Sequence, residues 1–143
     1  MPVQQVLRVF VVDDEWIIAK TLTTILQNSG FSATSFNNPL EALEAAQGEA
    51  PDLLISDVVM PQLSGVDLAI QMKVLCPACK ILLFSGQAET SDLLRAARDQ
   101  GHAFHLLSKP VHPADLLRQI RSQTSREKVD ATPSVPISNT TRS

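Results

Sequence analysis

Three carboxylates, one hydroxyl and one ammonium group in this sequence each follow an apolar run of residues. Asp13 and Asp14 follow V-F-V-V, Asp57 follows L-L-I-S, Ser85 follows I-L-L-F, and Lys109 follows H-L-L-S. If the runs are parallel strands, their carboxyl ends meet at one edge of a sheet. Three carboxylates gathered there raise each other's pKa unless a cation neutralises them, and Mg²⁺ is the divalent ion that best suits oxygen ligands of this kind.

This combination of side chains is suited to phosphoryl transfer. A carboxylate can act as a nucleophile and form an acyl phosphate. A metal ion and an ammonium group stabilise the charge on the oxygens of the phosphoryl group during its transfer. The sequence therefore predicts a phosphoryl-transfer site that contains Mg²⁺.

The elements that position these side chains alternate along the chain. Short apolar runs with β-branched residues predict five strands, and segments with helical spacing of apolar residues separate them and follow the last one. Such alternation predicts an α/β fold, a doubly wound five-stranded parallel sheet flanked by five helices, as in flavodoxin. The predicted strands comprise residues 7–12, 31–36, 52–56, 80–84 and 103–107.

Two of the helices have apolar stripes that predict which residues face the core. The spacing assigns Leu40, Leu43 and Ala46 to the inner face of the second helix, and Leu68, Met72 and Leu75 to that of the third. Asn38 and Pro39 are a cap and a first-turn proline for the second helix.

Length and composition bound the class of protein. The chain has 143 residues, of which 44% are hydrophobic, and this suits one domain with a single core. Its apolar runs are far shorter than a membrane span, and its first residues lack a secretory signal, so we expect a cytoplasmic protein without membrane insertion. A net charge of -3 argues against direct binding of nucleic acid.

We expect a domain over residues 1–123 and a disordered Ser/Thr/Pro-containing tail over residues 124–143.

The two cysteines form the motif C-P-A-C at residues 76–79. A redox pair or half of a zinc site are both conceivable for this motif. The chain has no second cysteine pair, and the proline suits a turn between a helix and a strand, so we predict packed, unreactive thiols. His102, His105 and His112 lack ligand spacing to one another.

Four motifs at the strand ends resemble those of the receiver domain of bacterial response regulators. They are D-D-E after the first strand, D-V-V-M-P after the third, S-G after the fourth and S-K-P after the fifth. The resemblance extends over residues 7–121, and the motifs occur in the family's order. It implies that Asp57 is the phosphoacceptor, which receives its phosphoryl group from a phosphohistidine on a sensor histidine kinase or a phosphotransfer protein.

The resemblance also assigns roles to the other site residues. It makes Asp14 a direct metal ligand, Asp13 a ligand through water, and the main-chain carbonyl of Val59 a third contact. Lys109 would pair with the phosphoryl oxygens, and Ser85 would move toward them on activation. Gly86 and Pro110 match the small residue after the hydroxyl and the proline that often follows a cis peptide bond.

Other positions depart from the family pattern or concern its signal output. Leu106 occupies the place of a common aromatic relay residue, and the aromatic side chain is Phe104 instead. Val59 and Gln87 occupy positions that tune dephosphorylation. Valine cannot hydrogen-bond a hydrolytic water, so we predict moderately slow loss of phosphate.

With no effector domain in the sequence, we expect a stand-alone regulator that signals through contacts with a downstream effector protein. The candidate contact residues lie near the movable elements of the family, helix four, strand five and helix five. They are Leu94, Arg95, His105, Val111 and His112.

Three other interpretations of the site remain open. Asp13 and Asp14 are also suitable as caps of the first helix, although their occurrence together with Asp57 and Lys109 favours a site. A pseudo-receiver would keep the fold and act as a binding module without phosphorylation. A phosphatase with an aspartyl-phosphate intermediate would usually have a second aspartate two residues after the nucleophile, where this chain has Val59.

Overall fold

The computed structural model describes residues 6–86, 90–101, 104–109 and 112–131, and of residues 90–93 and 123–131 it describes the backbone only. Strands and helices alternate along the whole described chain. They are β1 (Arg8–Val12), α1 (Trp16–Asn28), β2 (Ser32–Phe36), α2 (Pro39–Gly48), β3 (Leu53–Asp57), α3 (Gly65–Leu75), β4 (Lys80–Ser85), α4 (Thr90–Asp99), β5 (His105–Ser108) and α5 (Pro113–Ala131).

The five strands form one parallel sheet in the order β2-β1-β3-β4-β5. The strand order changes direction after β1, because β2 lies on one side of β1 and β3 on the other. The pairing register places Val12 beside Ser56 and Asp57 beside Phe84. The predicted α/β fold, with five parallel strands and five helices, is therefore confirmed.

The chain divides into two compact units, residues 1–111 and 112–143. The first unit contains the sheet and α1 to α4, and the second contains α5. The backbone of α5 continues to Ala131, so the predicted boundary at residue 123 falls inside this helix. No helix within the described ranges combines the length and apolarity that crossing a bilayer requires. The predicted disorder of the tail stays a prediction, and residues 132–143 lie outside the described part.

The core of the first unit packs α2, α3 and α4 against one face of the sheet. Residues that alternate along the strands share this face, such as Phe10 and Val12 of β1 and Leu54 of β3. The intervening residues point to the opposite face and are buried too. They include Val9, Val11, Leu53, Ile55 and Leu82. Burial on both faces explains why these strands are continuous apolar runs in the sequence.

The helix faces agree only in part with the predicted stripes. Leu43, Ala46, Leu68 and Met72 are buried as predicted, but Leu40 and Leu75 are 53% and 43% exposed, and their assignment to the core was wrong. Pro39 and Ala42 lie on the inner face of α2 instead, although the helix begins at Pro39 after the cap Asn38, as the sequence indicates. Trp16, the first residue of α1, is 62% exposed.

Candidate functional site

Two buried strands bring three carboxylates together at the carboxyl edge of the sheet. β1 ends one residue before Asp13, β3 ends at Asp57, and these strands are neighbours in the sheet. Oxygen atoms of Asp13, Asp14 and Asp57 all lie within 4.8 Å of one another. Asp13 is fully buried and Asp57 is 6% exposed, whereas Asp14 is exposed to solvent. The three carboxylates therefore lie close together, as the sequence predicts.

Lys109 reaches this cluster from the end of β5, two strands away from β3. Its Nζ lies 3.3 Å from Oδ2 of Asp57 and 3.9 Å from Oδ2 of Asp13. The main-chain N–H of Lys109 donates a 3.1 Å hydrogen bond to the carbonyl oxygen of Ser85, which ties the residue to the end of β4. The cation therefore lies beside the two buried carboxylates.

Burial dominates the electrostatics of the two enclosed carboxyl groups. It raises the pKa of Asp13 to about 6, although the N–H of Glu15 donates a 2.9 Å hydrogen bond to Oδ1 and opposes that increase. It also raises the pKa of Asp57, and Lys109 opposes the increase there. Both groups are thus costly to ionise without a further positive charge.

The donor atoms of the cluster suit a divalent cation. Oδ2 of Asp13 is buried and has no hydrogen-bond partner among the residues that the structure describes. Three carboxylates that offer one oxygen each within a few ångströms are hard oxygen ligands, and the ammonium of Lys109 beside them carries a single positive charge. The residues present therefore fit Mg²⁺.

Of the remaining predicted residues, the structure describes Ser85, Val59 and Gly86, which lie near the same edge of the sheet. Ser85 is the last residue of β4 and is buried. The side chain of Val59 is 45% exposed, while its main-chain N–H donates a hydrogen bond to the carboxylate of Asp57. A Cβ on Gly86 would lie 3.4 Å from Cβ of Lys109, in ordinary contact. Gln87 and Pro110 lie outside the described residues.

The candidate contact residues for an effector differ in exposure. Arg95 of α4, His105 of β5 and His112 are exposed, and Leu94 is partly buried. Val111 lies outside the described residues. Leu106, at the place of the aromatic relay residue, is 44% exposed, whereas Phe104 packs against the core.

Phe84 and Gly65 contribute to the site, and sequence reasoning missed both of them. The ring of Phe84 lies under Lys109, with Nζ 5.3 Å from the ring centroid. A Cβ on Gly65 would overlap the main-chain oxygen of Asp57 and lie 2.8 Å from its carbonyl carbon. Their sequence positions gave only an indirect signal, since Phe84 directly precedes Ser85 and Gly65 begins α3 after the loop that follows Asp57.

The cysteines fit the prediction of packed thiols. Cys79 is fully buried within the core, and burial raises the pKa of its thiol to about 12. The thiolate, which is the reactive and metal-binding form, is therefore scarce at neutral pH. Cys76 is partly buried at the C-terminal end of α3.

Comparisons with known proteins agree on one family. The family model described as "Response regulator receiver domain" matches residues 9–121. The transcriptional regulatory protein CreB of Escherichia coli is 33% identical over 88% of this chain, which spans 54% of CreB. The response regulator receiver protein CpdR of Brucella abortus is 32% identical over 79% of this chain and 92% of its own length.

The fold recurs in solved structures. A CheY-like response regulator receiver domain protein from Methanospirillum hungatei has a TM-score of 0.79 and 24% identity, over 88% of this chain and 99% of that one. At this identity the similarity concerns the fold alone. It is the same five-stranded parallel architecture that carries the acidic cluster here.

Proposed function

Because this chain belongs to the family of response regulator receiver domains, we propose that Asp57 accepts a phosphoryl group from a phosphohistidine. Receiver domains are regulatory phosphoacceptor domains. The donor would be a sensor histidine kinase or a phosphotransfer protein, and the reaction would require Mg²⁺. The observation that carries the proposal is the position of Lys109, whose Nζ lies 3.3 Å from Oδ2 of Asp57 inside a cluster of carboxylates.

The chain's own residues would prepare Asp57 for attack on phosphorus. Asp57 is the last residue of a fully buried strand, so core packing fixes its main chain. The N–H of Val59 and the ammonium of Lys109 both donate to its carboxylate and would orient it. An oxygen of Asp57 then forms the bond to phosphorus while the bond from phosphorus to the histidine nitrogen of the donor breaks.

The main requirement of this reaction is stabilisation of the negative charge on the transferred phosphoryl group. Lys109 is already beside the attacking oxygen, so its ammonium can follow the phosphoryl oxygens over a short distance. Asp13 and Asp14, with Asp57 and the carbonyl of Val59, would hold Mg²⁺, which supplies positive charge to the phosphoryl oxygens when bound. Ser85 at the end of β4 would provide a hydroxyl for the phosphorylated state.

Signal output is proposed to pass through contacts with a downstream effector protein. The exposed Arg95 and His105 are the candidate contacts in the first unit, and His112 is one in the second. The chain spans about half of CreB, so the transcriptional role in that protein's name is not transferred.

Incubation with acetyl phosphate and Mg²⁺ tests the proposal directly. Intact-mass measurement should detect one added phosphoryl group, which Asp57→Ala and EDTA each abolish. Asp99→Ala, which removes an exposed carboxylate from α4, is the matched control and should be phosphorylated like the wild type. Circular dichroism of both variants would establish that they fold.

The two rival functions predict other results in the same experiment. A pseudo-receiver would gain no phosphoryl group under any condition. A phosphatase would release phosphate continuously from small phosphate esters. Either result would overturn the proposal, because a receiver is modified once and turns over slowly.

A further inference from the structure

Phe84 is the nearest neighbour of Asp57 on the adjacent strand. The two residues are register partners between β3 and β4, and Phe84 also pairs with Leu107 of β5. Its carbonyl oxygen accepts a 3.1 Å hydrogen bond from the N–H of Val58. The residue is 1% exposed, so its ring has a fixed position in the middle of the sheet.

The side chain of Lys109 lies over this ring. Nζ is 5.3 Å from the ring centroid, within the range in which an ammonium is attracted to the negative face of an aromatic ring. The lysine side chain is only 26% exposed, so water screens the attraction less than at an open surface. The ammonium thus has three partners, the ring and the carboxylates of Asp57 and Asp13.

The ring differs from the other two partners because its attraction does not depend on a titratable charge. Protonation of Asp13 or Asp57 weakens its attraction for Lys109, and transfer of a phosphoryl group to Asp57 moves the negative charge outward. The quadrupole of Phe84 is the same in all of these states. Without such a partner, the long lysine side chain would be ordered only when it approaches the site, and this ordering would cost rotamer entropy each time.

We propose that Phe84 is a positioning residue for Lys109, whose ammonium it holds over the phosphoacceptor in every state of the reaction. The inference rests on the proposed function, because it assigns Phe84 a part in the phosphorylation of Asp57. An aliphatic residue at position 84 would fill the core but leave Lys109 without its uncharged partner.

Fluorinated phenylalanines at position 84 test the inference with little change of shape. Each added fluorine weakens the negative face of the ring, so the rate of phosphorylation by acetyl phosphate should fall stepwise, to a total of about two- to fivefold. Phe84→Leu should lower the rate to a similar extent. A rate that is independent of the number of fluorine atoms would overturn the inference.

Phe10 provides the matched control. It is also a buried phenylalanine of the sheet, and its ring packs against that of Phe36 in a tilted pair, with an interplanar angle of 59° and the centroids 4.8 Å apart. Phe10→Leu and the same fluorinated series at position 10 should leave the rate unchanged after correction for stability. An equal loss at both positions would mean that the core alone matters, and would overturn the role of Phe84.

A spectroscopic measurement separates this inference from the proposed function. The side-chain protons of Lys109 lie over the ring, so their resonances should be displaced upfield in the wild type and return toward ordinary positions in Phe84→Leu. If the wild type takes no phosphoryl group, the proposed function fails while the displacement still establishes the contact. If the resonances are the same in both proteins, the contact itself is refuted.

Discussion

Strands β3 and β5 both end at the site, but they differ in how completely they are enclosed. All five residues of β3 are buried, including Asp57, and the strand lies in the centre of the sheet. β5 lies at the edge, and three of its four residues are exposed. Core packing thus fixes the position of Asp57, whereas the position of Lys109 depends on a few identifiable contacts beyond β5.

This difference implies that substitutions around Asp57 and substitutions of Lys109 should have different consequences. A change near Asp57 disturbs packed strands and alters stability together with chemistry. A change at Lys109 itself should alter chemistry and leave the fold intact. The predictions below test this separation.

The largest effect should come from one of two paired leucines, one on the buried strand β4 and the other on the edge strand β5. Leu83 of β4 and Leu106 of β5 are register partners, but Leu83 is fully buried and Leu106 is 44% exposed. Leu83→Ala should lower the free energy of unfolding by about 2–5 kcal/mol, and Leu106→Ala by about 1 kcal/mol or less. Urea denaturation measures both, and similar losses would erase the contrast between the strands.

Neutralising Asp13 should stabilise the protein in EDTA. A rise in the pKa from 3.8 to about 6 corresponds to about 3 kcal/mol. The folded state keeps a proton that the unfolded state loses between these pH values, so stability falls as pH rises through this window. Asp13→Asn should therefore gain stability over the wild type from about pH 4 to about pH 6, with a constant difference above.

Mg²⁺ should narrow this difference, because it stabilises the ionised carboxylates of the wild type more than the site of the variant. Thermal denaturation with and without the ion provides the measurement. A difference that does not change with pH would contradict the assignment to the buried carboxyl group.

Removing the ammonium of Lys109 should lower the rate of phosphorylation with little effect on stability. Lys109→Ala should slow phosphorylation by acetyl phosphate by about 100-fold, because the developing charge on phosphorus loses its ammonium partner. The free energy of unfolding should change little, since Lys109 is partly exposed at the edge of the sheet. Lys20→Ala on α1 is the control for loss of an exposed lysine, and an equal slowing there would refute a local role.

Adding one methyl group at Gly65 should disturb the main chain at Asp57, at the end of the buried strand β3. A Cβ there overlaps the carbonyl oxygen of Asp57, so Gly65→Ala should cost about 1–3 kcal/mol and also slow phosphorylation. Gly48 at the end of α2 has open space around it, so Gly48→Ala should cost nothing. Unaltered stability and rate in Gly65→Ala would mean that the start of α3 does not fix Asp57.

The smallest expected effect concerns decay of the phosphorylated form. Asparagine at position 59 can hydrogen-bond a water near Asp57, so Val59→Asn should shorten the half-life by about fivefold, the equivalent of one hydrogen bond. Val74→Asn, at a 77% exposed position of α3, should leave the half-life unchanged. An unaltered half-life in Val59→Asn would count against the predicted slow self-hydrolysis.

The fold and the acidic cluster were accessible from sequence because both depend on simple patterns. Strands buried on both faces appear as apolar runs, and a parallel sheet collects their ends, so the meeting of Asp13, Asp57 and Lys109 followed from the order of elements. The roles of these residues in phosphorylation stay predictions until they are measured.

Features that depend on register and helix rotation were not accessible. The inner face of α2 uses Pro39 and Ala42 rather than Leu40, because ten residues give too few turns to fix the rotation. The contact between Phe84 and Lys109 joins two strands whose register is a property of the folded sheet. The close approach of Gly65 to Asp57 depends on how a seven-residue loop closes, with a 2.7 Å hydrogen bond from Gly65 to Val58.

The exposed Trp16 has a practical consequence. It is the only tryptophan of the chain, which contains no tyrosine, and it follows Asp14 by two residues. Its fluorescence emission therefore comes from a residue close in the chain to the acidic cluster, without background from any other indole or phenol ring. Titration of the unlabelled protein with Mg²⁺ can therefore be followed optically, in real time, as a test for binding at this edge of the sheet.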